Sequence, residues 1–395
     1  MASALSTFTD FVNTTGPSFL TSAEDVVNEA VKNNYLLRRF LRGKGPSETV
    51  QGGSTIKDTV MFDDDSTFQY YEPNETFTWS NPQVLTNWEI RWRFAVDHWS
   101  ATDQEIELNV GGGMGQKARH HQFKKLKRTK EQRLWTSFLN GMENGLFTIP
   151  VTAAQESATG TKPYSLPVFI NEDDDGSHNG AFDTVQGIDS TAQTKWVPQQ
   201  MLGTSANGTR KKGYTSDAVN NVDNIISRFD EMWQDVRFSP PPTHQEYFDN
   251  PTLNAMFIAC SRAGSRIYTQ LLRASQDTFV TSGREDPAYM RPQYAGIDIE
   301  SVAALDDYAG YENAYTEINA ASHASANSGP RYYFINANYM KFVFHAERYM
   351  YVHKSMRHPN QPFTTVVPVD CWHNFVCRSR QRQGIVGPGG EIYTS

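Results

Sequence analysis

From Asn87 to Trp99 the chain reads NWEIRWRFAVDHW. Trp88, Ile90, Trp92, Phe94 and Val96 alternate with polar residues, which predicts a half-buried strand with these five side chains on one face. The period then changes. Between Gln116 and Phe147, Phe123, Leu126, Leu134, Phe138, Met142 and Leu146 recur at helical spacing. At the rise of an α-helix that segment is about 45 Å long, the longest element in the chain. Between the two, Thr102 and Glu105 stand at capping-box spacing and open a short helix.

Upstream, Met1–Ser22 reads as an extended arm. Ser22 caps a helix running to about Arg42, with Val26, Val27, Ala30, Val31 and Leu37 as its stripe, and Gly43, Gly45 and Pro46 end it. The stretch from Gln51 to Thr86 is rich in β-formers. Its aromatic and threonine flanks around Glu72-Pro73-Asn74-Glu75 predict a hairpin, and a hairpin alone is marginally stable, so it needs a partner. Downstream, Val151 to Gly213 is turn-rich. A helix is expected over Ser216–Arg237, then a strand–helix unit in NAMFIACS and RAGSRIYTQLLRASQ, and a strand over Ala295–Leu305. The runs RYYFINANYMKFVFHAERYMYV, FTTVVPVD and NFVCRSRQRQGIVG predict closing strands.

Composition narrows the function classes. The length, 395 residues, fits two or three domains. The formal net charge is −8, against a dedicated nucleic-acid binder, and aromatics at 12% suit large contact surfaces. Cys260, Cys371 and Cys377 form no C-x-x-C pair and are read as reduced thiols. There is no basic, apolar leader at the N-terminus and no apolar run long enough for a membrane span, so no membrane partner is expected.

The stretch NVGGGMGQKARHHQFKKLKRTK resembles a phosphate loop at first sight. Gly115 is followed by Gln116, Lys117 and Ala118, so the P-loop pattern fails. The dinucleotide pattern fails as well, because Gln116 stands where its third glycine belongs. Gly111, Gly112, Gly113 and Gly115 instead read as a hinge. Lys124, Lys125, Lys127, Arg128 and Lys130 form a basic face on the first half of the long helix, turned to a neighbouring molecule or to DNA. GTSANG at Gly203–Gly208 has one residue too many for a nucleophile elbow. NEDDDG has calcium-loop spacing, but Phe182 occupies the position of the bidentate acid. Cys371, His373 and Cys377 span six residues of a presumed strand, too far for one metal. No cofactor, no metal and no enzymatic activity are expected.

The order of parts resembles the major capsid proteins of tailed phages, the Hong Kong ninety-seven-type fold. TFTWSNPQVLTNWEIRWRFAVDHWSATDQEIELN is similar to the return of the hairpin, or E-loop, into the peripheral domain, and Gln116–Phe147 to the spine helix. NAMFIACSRAGSRIYTQLL is similar to part of the axial domain. The resemblance implies an α+β fold with these parts: N-terminal arm and helix over 1–50, E-loop over 51–86, and peripheral domain over 87–152 with the spine helix at 116–147. The axial domain, with an insertion, follows over 153–330, and C-terminal strands return to the peripheral domain over 331–395.

It further implies self-assembly into an icosahedral head shell enclosing double-stranded DNA, in hexamers and pentamers, located in the virion and assembled in the host cytoplasm. The inter-subunit contacts would come from the E-loop: Lys57, Phe68, Tyr70, Tyr71, Glu72, Pro73, Asn74, Glu75, Phe77 and Trp79. Helix content beginning by Ser22 implies a separate scaffolding protein. A portal and a decoration protein are further expected partners, and the enclosed DNA is bound at most weakly. An encapsulin-like nanocompartment shell and, from another class, a glycan-binding virion component are the alternatives.

Overall fold

The computed structural model describes residues 36, 37, 40, 47–62, 69–73, 75–76, 85–105, 116–147, 161–170, 184–190, 192–202, 210–214, 224–236, 256–275, 292–306 and 330–388. The long amphipathic segment is one helix, α1 (Gln116–Phe147), with the bounds its pattern predicts. Leu134, Phe138, Met142 and Leu146 of its stripe are buried.

Two sheets flank it. In the first, β1 (Ser47–Val50) lies beside β13 (Met340–His345), which lies beside β16 (Gln361–Cys377). β4 (Arg93–Thr102), β14 (Tyr351–Val352) and β15 (Met356–His358) also pair with β16. β16 is a single strand of 17 residues where the sequence suggests two runs. Pro368 sits in its middle without breaking it. The Pro368 carbonyl accepts the His353 N–H, just past the end of β14, so the missing proline N–H faces a gap in the ladder.

The second sheet has the order β10 (Gln293–Tyr294), β11 (Ile297–Ser301), β9 (Met256–Cys260), β12 (Tyr332–Asn336), β17 (Gly384–Val386), β7 (Gln199–Met201), β8 (Arg210–Lys211). β9 and β11 are parallel and joined through α4 (Arg262–Ser275), as a parallel pair requires. α3 (Ile225–Val236) and α4 cover one face, where Phe229 packs on Tyr268, Tyr294, Tyr332 and Phe334. The other face joins the main core with α2 (Leu166–Ile170), α5 (Ala303–Asp306) and the end of α1. Phe40, in a helical turn with Leu36 and Leu37, wedges between the sheets: its ring lies 6.2 Å from Phe257, 5.7 Å from Phe342 and 5.2 Å from Phe375.

A hairpin, β2 (Thr55–Met61) with β3 (Leu85–Arg91), and a short pair, β5 (Thr184–Val185) with β6 (Ile188–Asp189), complete the strands among the described residues. Several expectations change here. The hairpin's return strand runs to Arg91, past the expected boundary at Thr86, because Arg91 still pairs with Thr55. The C-terminal strands do not all return to one sheet: β13 and β16 join the first, β12 and β17 the second. Within the turn-rich stretch up to Gly213, the described parts are core. Trp196 and all of α2 are buried, and β7 and β8 extend the second sheet. The expected strand over Ala295–Leu305 is β11 followed by α5, and the helix expected from Ser216 is described from Ile225.

Arg380, between β16 and β17, is fully buried. Its guanidinium donates to the carbonyls of Phe169 at 2.8 Å, Trp196 at 3.1 Å and Val168 at 3.5 Å, tying α2 and the turn at Trp196 to the C-terminal strands. Cys260, Cys371 and Cys377 are buried free thiols. Burial pushes the Cys371 thiol up to about 11 and that of Cys377 up to about 12, which suits inert core residues.

Candidate assembly surfaces

The hairpin is anchored at its base and open at its tip. Ile56, Trp88 and Ile90 are buried, and Val60 and Phe62 pack against the core, so one face of the stem lies on its own subunit. Trp92 donates its indole N–H to the Gly53 carbonyl at 2.9 Å, and Arg378 pairs with Asp58 at 2.6 Å. Both contacts fix the angle at which the hairpin leaves the body. Lys57 is exposed and pairs across the strands with Glu89 at 2.8 Å, which holds the Glu89 carboxyl below its usual range. At the tip the Glu75 N–H donates to the Glu72 carbonyl at 3.0 Å, closing the turn through Pro73. The Glu72 N–H donates to Glu75 Oε2 at 2.9 Å. Tyr70 beside this turn is 89% exposed, and Tyr71 is exposed as well. Phe68, Asn74, Phe77 and Trp79 lie outside the described residues, as do Gly111, Gly112, Gly113 and Gly115.

A second surface was hidden by the sequence pattern. Trp92 stands between β3 and β4, in neither ladder, and the buried parity changes there. Trp88, Ile90 and Trp92 are buried, but Phe94 is 64% and Val96 is 72% exposed, while Arg93, Trp99 and Ala101 are buried. Alternation across the joint had put all five apolar residues on one face. It fails because hairpin and sheet are separate ladders, and a step of one residue exchanges the faces of a strand. The inward face of β4 and β16 packs Trp99, Ala101, Val367 and Val369 against Leu134 of α1. The outward face carries Phe94 against Trp372, with Tyr351, Val352, Met356 and Phe363 also exposed on this sheet. Arg348 lies over the rings of Tyr351 and Trp372, at 4.9 and 5.5 Å, and reaches Asp370 at 3.5 Å. Exposed apolar surface on this scale marks an interaction face.

The basic half of α1 divides. Lys130 is engaged within the chain: its Nζ is 2.6 Å from Glu105 Oε2 and donates to the Ser100 carbonyl. Glu105 is held in turn by the capping box, its N–H on Thr102 Oγ1 at 3.2 Å and its Oε2 on the Thr102 N–H at 3.1 Å. This pairing takes Lys130 off the outward-facing set that spacing alone suggested. Lys127 is exposed and pairs with Glu131 one turn on, and Arg128 is exposed. Lys124 and Lys125 lie on α1 with side chains outside the described residues.

Two layers, a long helix, a hairpin and a chain that crosses between sheets can be compared with solved structures. The chain is similar to a protein in the capsid asymmetric unit of cyanophage A-1(L), with a TM-score of 0.53 at 12% identity over 95% of this chain and 99% of that one. It is likewise similar to a chain in the capsid of a native GTA particle: TM-score 0.53, 9% identity, 93% of this chain and 94% of that one. The fold is that of a tailed-phage capsid subunit. In sequence, no protein-family model and no curated protein matches. The capsid fold is therefore carried here by layer order and burial pattern, with few residues in common. No helix among the described residues is long and apolar enough to cross a membrane, and no group of three or more His, Cys, Asp or Glu among them is placed to hold a metal ion.

Proposed function

We propose that this chain is the major capsid protein of a tailed bacteriophage, self-assembling in hexamers and pentamers into the icosahedral head shell that encloses its double-stranded DNA. Its role is structural rather than catalytic. The observation that carries the reading is the whole-chain likeness to a phage capsid protein, end to end in both chains. The two surfaces support it. A hairpin tip carrying Tyr70 and Tyr71, and a sheet face carrying Phe94 and Val96, are exposed on one molecule and would be covered between copies. Many such contacts reinforce one another in a closed shell. The hairpin contacts are those of Lys57, Tyr70, Tyr71, Glu72, Pro73 and Glu75, together with Phe68, Asn74, Phe77 and Trp79. Lys124, Lys125, Lys127 and Arg128 meet an acidic neighbour, such as the segment around Glu24 and Asp25, in preference to DNA. Scaffolding, portal and decoration functions belong to separate proteins, the shell is built in the host cytoplasm, and the net charge of −8 keeps it from gripping the DNA it contains.

The test is to purify the protein, alone and with its scaffolding protein, and image it by electron microscopy. Closed shells of uniform size are expected, with DNA inside particles taken from infected cells. Monomers under every condition would overturn the reading, and shells enclosing an enzyme would make it a nanocompartment. Neutralising the four basic residues of α1 is expected to impair assembly. Intact shells with altered genome retention would instead assign them to DNA.

A further inference from the structure

The register of β16 fixes which way each residue of β4 turns its backbone groups. Asp370 pairs with Tyr351 of β14 on one side and with Val96 of β4 on the other. On the β14 side the Pro368 carbonyl accepts the His353 N–H, and the Trp372 N–H donates to the Arg348 carbonyl. The even-numbered residues of β16 therefore face away from β4, and its odd-numbered residues bond Arg93, Ala95, Asp97, Trp99 and Ala101. The even-numbered residues of β4 are left facing outward, along an edge that pairs with no strand among the described residues. Side chains of the same chain occupy one half of that edge. The Thr102 N–H donates to Glu105 Oε2 at 3.1 Å, the Ser100 carbonyl accepts from Lys130 Nζ at 2.6 Å, and the His98 N–H donates to Asp97 Oδ1 at 2.7 Å. At Phe94 and Val96 the blocking stops. Among the described residues nothing takes the outward N–H and C=O groups of these two, whose side chains are exposed as well. An edge left open over so short a stretch, and blocked beyond it, is a place for one strand from outside.

We propose that this edge pairs with the same edge of a second copy, antiparallel about a two-fold axis at Ala95. In that register Phe94 of each copy stands opposite Val96 of the other. The N–H and C=O groups left open on each copy then satisfy those of its mate, while the His98 N–H keeps Asp97. An aromatic residue opposite a β-branched one is a favourable cross-strand pair. Ala95 meets Ala95, small enough for the close approach of a non-hydrogen-bonded pair. Arg93, buried and engaged within its own chain, comes opposite Asp97, so no like charges are brought together. Moving the axis by one residue, to Val96, would need the His98 N–H that Asp97 already holds. The contact is isologous, the same patch on both copies. It rests on the capsid reading for bringing many copies together, and it names what the open end of β4 meets there.

The experiment is disulfide trapping. Across the axis the two copies of residue 95 would have Cα atoms about 4.5 Å apart, within the span of a disulfide. The full chain carrying Ala95→Cys is treated with diamide, both free in solution and in imaged shells, and run on a denaturing gel without reductant. A dimer band is expected, and none from the wild type, whose Cys260, Cys371 and Cys377 are buried. Val96→Pro deletes the outward N–H without touching the ladder to β16, and Val96→Lys keeps the N–H but puts a charge on the edge. Each is expected to cut the cross-linked fraction of Ala95→Cys at least about tenfold, with the unfolding midpoint of the free subunit in place. Dimers without shells would keep the pairing and overturn the capsid reading. Shells without dimers would overturn the pairing and keep the capsid reading. If Val96→Lys also blocked those shells, the edge would belong to another segment of a neighbouring copy. A stronger band from Val96→Cys than from Ala95→Cys, or bands unchanged by both edge variants, would overturn the proposed register.

Discussion

β9 and β12, at the centre of the seven-stranded sheet, are buried along their whole length, with helices on one face and the main core on the other. β4 and β16, the longest pair of the six-stranded sheet, are covered on one face only, and the other presents Phe94, Val96 and Phe363 to solvent. Both sheets are rich in aromatics. In the first case the rings satisfy one another within the chain. In the second they are left for something outside it. The lesson is that aromatic content marks contact, and only the layering tells whether the contact is internal or between molecules.

Substitutions should separate the two regions. Phe229→Ala removes the ring on which the helix side of the seven-stranded sheet is packed and should cost about 3–5 kcal/mol, read by denaturant unfolding of the unassembled protein. Arg380→Ala leaves buried carbonyls of α2 and the Trp196 turn without donors, at about 1–3 kcal/mol each, and should lower stability by about 3 kcal/mol or more in the same assay.

The six-stranded sheet and α1 carry two buried titrating groups of opposite sign. Burial holds His373 on β16 down to about 4, so its contribution is present above the ordinary histidine range and lost as pH falls through that value. Burial pushes the Glu143 carboxyl on α1 up to about 7, against the hydrogen bonds it accepts from the N–H groups of Leu37 at 2.6 Å and Leu36 at 3.2 Å. Its contribution is full below the ordinary carboxylate range and lost as pH rises through 7. The two oppose each other at mildly acid pH. Relative to wild type, His373→Phe should gain stability on going from pH 6.5 to 4, and Glu143→Gln should lose it on going from pH 7 to 4.5. Each change is about 3 kcal/mol, read from unfolding midpoints across pH.

Smaller effects come next. A Cβ on Gly384 would strike Met232 Sδ, with Val236 Cγ2 at 2.8 Å, so Gly384→Ala should cost about 1–3 kcal/mol by pushing α3 off β17. On the open sheet, Phe94→Ser and Val96→Ser should change the unfolding free energy of the free subunit by less than about 0.5 kcal/mol while reducing shell formation, seen by sedimentation. If the same pair unfolded the subunit, this face would belong to an internal core after all.

Much of the fold was legible because it rests on local periodicity. The bounds of α1, the capping box at Thr102 and Glu105, the strand–helix unit of β9 and α4, and the exposed turn at Glu72–Glu75 all follow from residues near one another in sequence. The candidate surfaces were legible in part. Tyr70 and Tyr71 stood out as aromatics at a turn. Phe94 and Val96 were placed on the wrong face, and the one local signal was Trp92 flanked by Arg91 and Arg93. That Lys130 meets Glu105, 25 residues away, and that Arg380 reaches Phe169 and Trp196, no spacing rule reveals.

The sequence by itself determined where helix and strands form and which residue types are available for contact, because hydrophobic period and capping act over a few residues. Only the tertiary structure decided which face of β4 is open, which charges are already paired, and how the C-terminal strands divide between two sheets. Those outcomes depend on which elements become neighbours, and burial is a property of the neighbourhood rather than of the residue.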